Sequence, residues 1–139
     1  MTALGGAVAL VLGALAALHF YWAVGGRSGR LAAVPEREGR PVINPGPLAC
    51  AAVGVSLLFA ALLVCRTARI WAPAVIPLGL ARAGTGLLAA AFLLRAIGDR
   101  KYVGFFKRVR ETRFARWDSR LYAPLCLALG LGAAAVAIF

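Results

Sequence analysis

Nine of the sixteen lysines and arginines in this 139-residue chain fall in one run, RAIGDRKYVGFFKRVRETRFARWDSRLYAPLC, from Arg95 to Cys126. They are Arg95, Arg100, Lys101, Lys107, Arg108, Arg110, Arg113, Arg116 and Arg120, accompanied by Asp99, Glu111 and Asp118, three of the five acidic residues. Aromatic side chains are threaded between them, and on either side the chain is almost purely apolar. Cations interleaved with aromatics next to apolar spans suit a membrane surface, with bases on phosphates and rings at the acyl boundary. Tyr102, Phe106 and Val109, then Phe114, Trp117 and Leu121, recur at helical spacing, with Lys107, Arg108 and Arg110 between or opposite. This spacing predicts an amphipathic helix over 102–117 lying in the interface. Its lipid contacts would be Tyr102, Phe106, Lys107, Arg108, Arg110 and Trp117. Asp118 stands where it would N-cap the following span, with Pro124 in the early helix.

A second set of residues could serve a polar pocket between spans: His19, Trp22, Arg82, Arg95, Asp99, Asp118 and Tyr122. Arg82 is the frank anomaly. Counted from Pro73 it lies about 13 Å along its span at about 1.5 Å per residue, near the midplane. An arginine there costs at least about 2.5 kcal/mol on insertion scales. No Asp or Glu lies within any span to pair with it. Either it bonds helix carbonyls, Thr85 or Ser56, or snorkels, or it meets an anionic group drawn into the bundle. Arg95 and Asp99, at i and i+4, could pair on one helix face, with Gly98 between them as an interruption. Arg82 and Arg95 are about 220° apart around a helix and do not form one cluster.

The chain contains no P-loop, dinucleotide-binding glycine motif, H-E-x-x-H or G-x-S-x-G. Its one histidine, with no acidic residue on its span, makes no metal site, and a hydrogen bond to a neighbouring helix is the simpler role for it. Cys50, Cys65 and Cys126 form no C-x-x-C pair, and on one helix Cys50 and Cys65 would lie about 22 Å apart. They read as small buried hydrophobes. No catalytic residue, metal or cofactor is expected.

These residues must be positioned by membrane spans. At 62% hydrophobic and 15% charged, the chain cannot clothe itself in polar surface. Mean hydropathy is +0.83. A net charge of +11 therefore signals orientation and anionic lipid rather than nucleic acid. Four spans are expected, over about 3–25, 47–65, 73–97 and 121–139, forming an all-α integral membrane four-helix bundle with the amphipathic segment between spans three and four. The start lacks a basic leader, so the first span is read as retained. Gly5, Ala9, Gly13 and Ala17, and likewise Gly79, Ala83, Gly86 and Ala90, form small-residue stripes for close helix approach. The connection after span one, rich in proline and glycine, carries Arg27, Arg30, Arg37 and Arg40; the one after span three carries eight bases, Arg100 to Arg120. The second connection has only Arg66 and Arg69. Twelve against two puts the first and third connections in the cytoplasm and both termini outside. Arginine makes up fourteen of the sixteen bases, which with abundant alanine and glycine suggests a bacterial genome of high GC content.

HFYWAVGG at 19–26, AVPE at 33–36, NPGP at 44–47 and the whole run 95–126 resemble a bacterial family of small four-span membrane proteins catalogued as domain of unknown function 3995. The resemblance implies a four-helix membrane domain and carries no activity. The expected function is a non-enzymatic binding or accessory module of the bacterial inner membrane. It would contact anionic lipid at its cytoplasmic face, with a homo-oligomer or a partner membrane protein as further company. The alternatives are a small transporter with Arg82 as counter-ion, or a lipid-modifying enzyme using His19, Asp99 or Asp118.

Overall fold

The computed structural model describes residues 1–71 and 75–139. Among them four helical segments are long and apolar enough to cross a membrane, giving the all-α bundle expected. They are α1 (Thr2–Ala23), α2 (Pro47–Thr67), α3 (Leu78–Ile97) and a composite last helix. The composite joins α4 (Arg113–Trp117), a π-helical turn (Asp118–Tyr122) and α5 (Ala123–Ile138). Between α1 and α2 come a 3₁₀ turn (Leu31–Ala33) and a minimal antiparallel hairpin, β1 (Glu36–Arg37) against β2 (Arg40–Pro41). Helices suit such a chain because every backbone polar group is satisfied within the segment, as a bilayer demands.

The helices run up, down, up, down. α1 packs along α2, α3 along α5, and α2 meets α3 while α1 meets α5. The core is a thin file of Val8, Leu12, Ala60, Val64, Leu129 and Val136. The outer faces stay apolar, with Leu10, Leu48 and Leu87 each more than two-thirds exposed. That inversion of the soluble pattern fits a lipid surround. Glycines mark the close approaches. A Cβ at Gly84 would sit 2.7 Å from Leu63 Cδ1, and one at Gly132 would sit 2.9 Å from Val8. Thr67 and Thr85 add a buried hydroxyl contact of 3.0 Å between α2 and α3, each also bonding the carbonyl four residues back.

Several expectations are corrected. The buried stripe of α1 is Gly5, Val8, Leu12 and Ala16, while Ala17 is exposed and Gly13 has open space beside it. On α3 the buried stripe is Ala81, Thr85, Ala89 and Ala96, and Gly79, Ala83 and Ala90 face outward. A strict four-residue repeat advances about 400° per step and so drifts about 40° around the helix each time. Over the three steps of the α1 set that is about 120°, which carries Ala17 off the buried face. The α3 set, spaced four, three and four, keeps one face but an outward one. The last membrane helix begins at Arg113 rather than 121, and residues 98–112 contain no helix, so the amphipathic helix over 102–117 is confined to its final turn. Pro73, the expected start of span three, lies outside the described residues. α3 itself begins at Leu78, after Pro77.

The glycine contacts yield a paired test. Gly5→Ala places a methyl against the Ala68 Cβ, a rigid neighbour. The overpacking should lower stability by about 1–3 kcal/mol. Gly13→Ala meets nothing and should be neutral or stabilising by up to about 1 kcal/mol. Thermal melts of both variants in one mild detergent check the difference, and equal melts contradict the packing of α1 on α2.

Candidate functional site

The site starts where α3 stops. Gly98, at φ +85°, turns the chain out of the helix, and Gly104, at φ +86°, returns it against the last turn. A Cβ on Gly98 would collide with the Val103 carbonyl, and one on Gly104 with the carbonyls of Ala96 and Ile97. Only glycine allows both the dihedrals and the approach. The reward is a satisfied helix end: the Phe105 N–H donates to the Ala96 carbonyl at 2.9 Å. Asp99 closes the loop by accepting from the N–H groups of Lys101, Tyr102 and Val103 at 2.9, 2.7 and 3.0 Å. Partial burial acts to raise the Asp99 pKa, but the three amide donors outweigh it and hold the carboxyl below its ordinary range. A depressed carboxylate stabilises above its unfolded pKa, so the turn is firm above about pH 4 and loosens as acid titrates Asp99. Arg95 and Asp99 therefore do not pair.

Arg95 pairs instead with Asp118, Nη2 to Oδ1 at 2.9 Å. Asp118 has no exposure at all. Its Oδ2 accepts from the Gly104 N–H at 2.8 Å and from Lys107 Nζ at 2.9 Å. Lys107, 2% exposed, places its other two donors on the Gly104 carbonyl and the Ser119 hydroxyl, at 3.0 and 2.7 Å. All three ammonium hydrogens are used. Asp118 is thus no N-cap: that role falls to Thr112, whose hydroxyl accepts from the Ala115 N–H at 3.1 Å. The helix then passes Asp118 in a π turn. Pro124 explains the widening, because it has no N–H to donate and its ring crowds the carbonyl four residues earlier.

Arg95 links this cluster to a cavity of about 530 Å³ between the ends of α1 and α2, the first loop and the π turn. His19, Trp22, Arg30, Arg95 and Tyr122 supply its polar groups, and Leu15, Leu18, Val34, Ile43, Val53 and Leu121 its walls. His19 Nδ1 lies 2.8 Å from the Leu15 carbonyl. A carbonyl can only accept, so Nδ1 carries the hydrogen and Nε2 is left free for another partner. The His19 ring meets Trp22 edge-on, centroids 5.1 Å apart. Trp22 Nε1 donates to the Ser28 carbonyl at 2.8 Å, and the Tyr122 hydroxyl to the Ala32 carbonyl at 3.2 Å. Arg30 donates to the Pro45 carbonyl at 2.6 Å and to Asn44 Oδ1 at 3.3 Å. These bonds draw the first loop over the cavity. Arg95 Nη1 is different: it is buried and has no partner among the described residues.

Four of the seven expected pocket residues, His19, Trp22, Arg95 and Tyr122, therefore meet in one space, with Asp118 behind Arg95. Asp99 is a turn cap. Arg82 sits near the start of α3, exposed and at the opposite end from Arg95. It is about four residues, or 6 Å, into the helix rather than at mid-depth. Among the expected lipid contacts, Phe106, Arg108, Arg110 and Trp117 are exposed, Tyr102 is half-buried, and Lys107 is withdrawn into the cluster. Sequence reasoning missed Arg30 as a cavity residue; its only signal is the rigid NPGP stretch that receives its bonds. It also missed the loop-back at Gly98 and Gly104, for which the two glycines flanking an Asx-type turn are the available sign.

Residues 12–133 match the family described as "Protein of unknown function (DUF3995)". No curated protein and no solved structure matches the chain.

The cluster makes a sharp chemical prediction, since Lys101 and Lys107 are the chain's two lysines. An amine-reactive ester should modify exposed Lys101 and spare Lys107, read by peptide mass spectrometry. Asp118→Asn leaves two cations facing a neutral amide and should destabilise by about 3–5 kcal/mol, as expected for a broken buried pair. It should also bring Lys107 to the reactivity of Lys101. Equal labelling of both lysines in the unaltered protein contradicts the cluster.

Proposed function

We propose a function for this chain, which belongs to the DUF3995 family, from the cavity at the basic end of its bundle. It is an integral membrane binding module that takes up the apolar part of an amphiphile. One observation carries this reading: side chains from α1, the first loop, α3 and the π turn converge on a space of about 530 Å³, within the range of ligand sites. Mostly apolar walls with a few placed polar groups are the usual make-up of such a site. A binding role is favoured over a catalytic one by the bond His19 makes. Its Nδ1 bonds a backbone carbonyl rather than a carboxylate, so the His–carboxylate pair of a hydrolytic site is not formed.

The same end engages anionic lipid. Phe106 and Trp117 are 66% and 46% exposed and stand near Arg108, Arg110 and Arg116 along the chain, a combination suited to the headgroup boundary. Each base near an anionic surface contributes about 1 kcal/mol. That end faces the cytoplasm of a bacterial inner membrane, with both termini outside. Support comes from twelve bases in the first and third connections against two in the second.

Two experiments test the proposal. Protein purified in mild detergent should retain a lipid or other amphiphile detectable by native mass spectrometry. Val53→Trp, which adds bulk at a half-exposed cavity wall, should cut that occupancy at least tenfold without lowering the melting temperature. Unchanged occupancy removes the cavity from the function. For orientation, a reporter active only in the cytoplasm should score when inserted at Gly39 and stay silent when fused after Phe139; the opposite pattern moves the cavity to the outer leaflet.

A further inference from the structure

We infer that the cavity selects a single-chain amphiphile with an anionic head, carboxylate or phosphate, seated on Arg95; this rests on the binding reading above and adds the class of ligand.

Charge gives the sign of the head. Arg95 and Lys107 share the one carboxylate of Asp118, leaving an excess positive charge at the cavity wall. Arg30, also lining the cavity, bonds only neutral oxygens of Pro45 and Asn44, and no carboxylate lies in ion-pair range of it among the described residues. Asp99 is committed to three backbone amides, and Glu38 reaches Arg37 at 3.6 Å. The wall is short of anions.

Hydrogen bonding gives the position. Guanidinium is a rigid fork of donors that matches two oxygens of a carboxylate or phosphate. One arm of Arg95 is spent on Asp118, while Nη1 is buried and unpartnered. A buried charged donor without an acceptor is the kind of group native structures seldom keep. An anionic head reaching the exposed third of the Arg95 side chain supplies that acceptor once the guanidinium turns Nη1 toward it.

Volume gives the number of chains. Taking the roughly 30 Å³ that a water-sized group fills in a liquid, a space of 530 Å³ holds about 18 such groups. That matches one alkyl chain with a small head, and a second chain would have to lie outside the cavity. The apolar walls exclude free inorganic phosphate as the whole ligand, because they would be left wetted.

The test uses the full chain in non-ionic detergent at about pH 8, titrated with hexadecanoate, hexadecyl phosphate, hexadecanol, dipalmitoyl phosphatidate and inorganic phosphate, with occupancy read by native mass spectrometry. Hexadecanoate and hexadecyl phosphate should bind at least tenfold more tightly than hexadecanol, and more tightly than phosphatidate or inorganic phosphate. Arg95→Gln retains a donor for Asp118 and should reduce the anion preference to less than threefold. Arg30→Gln should reduce it by a smaller factor. If Arg95→Gln fails to fold, the ligand series on the unaltered protein and on Arg30→Gln still decides. Equal binding of hexadecanol and hexadecanoate, both lost in Val53→Trp, overturns the anionic head and leaves the binding module standing. Phosphatidate binding as tightly as the single-chain anions overturns the chain count. Inorganic phosphate binding as tightly as hexadecyl phosphate overturns the amphiphile. Ligand binding indifferent to Val53→Trp overturns the cavity reading and this inference together.

Discussion

A carboxylate with no exposure must have its charge matched from inside the protein, and Asp118 is such a group. Removing a carboxylate and an ammonium from water costs several kcal/mol each, which is recovered only by close geometry and complete hydrogen bonding. Asp118 meets both conditions: one oxygen takes Arg95, the other takes Lys107 and the Gly104 amide. Three separate pieces of chain are thereby fixed together: the end of α3, the loop that doubles back beneath it, and the last helix. The consequences spread. With the π turn fixed, Tyr122 reaches the Ala32 carbonyl and α4 packs on the 3₁₀ turn of the first loop. The two long connections become one cap over one end of the bundle, and the cavity is the space that cap leaves.

The membrane part was legible because lipid imposes a simple demand. Each span must be apolar and helical, so hydropathy alone finds α1, α2, α3 and α5. Family resemblance in the run 95–126 pointed the same way, and the match over 12–133 bears it out. Helix faces were harder. In water a helix shows its buried side by apolar contrast; here both sides are apolar, so the contrast vanishes and only small residues remain as a guide. Gly5 does pack against α2, but Gly13 and Gly79 are equally small and meet nothing.

The cap was not legible, for a different reason. Its ion pairs span 11 and 23 positions, and no local pattern announces either. Local patterns instead offered competitors. The i, i+4 spacing of Arg95 and Asp99 suggested a helical pair, but Gly98 ends the helix between them and Asp99 bonds forward to three amides. Tyr102, Phe106 and Val109 have helical spacing, yet the loop-back between Gly98 and Gly104 takes that stretch out of helical geometry before the pattern can operate. Where a short polar side chain can bond nearby backbone, it competes directly with the helix. The candidate pocket fared better, since His19, Trp22 and Arg95 lie within about a turn of the ends of α1 and α3, Tyr122 directly precedes α5, and helix ends at the same face must converge.

Lys107 shows why the basic residues of this protein answer two separate physical questions. Orientation is set during insertion, when an unfolded loop presents every base to the translocating membrane, so Lys107 counts there as fully as Arg108 or Arg110. After folding the three part company. Arg108 and Arg110 remain exposed, available to phosphates, while Lys107 becomes an internal counter-charge whose partner is Asp118. The same division applies to Arg30 and Arg95, which turn toward the cavity, and to Arg27 and Arg100, which stay outside. A net charge of +11 is therefore not the charge the membrane surface meets. Part of it is folded inward, where Arg95 and Lys107 share the single carboxylate of Asp118, and it is that local imbalance, rather than the total, that stands at the cavity wall.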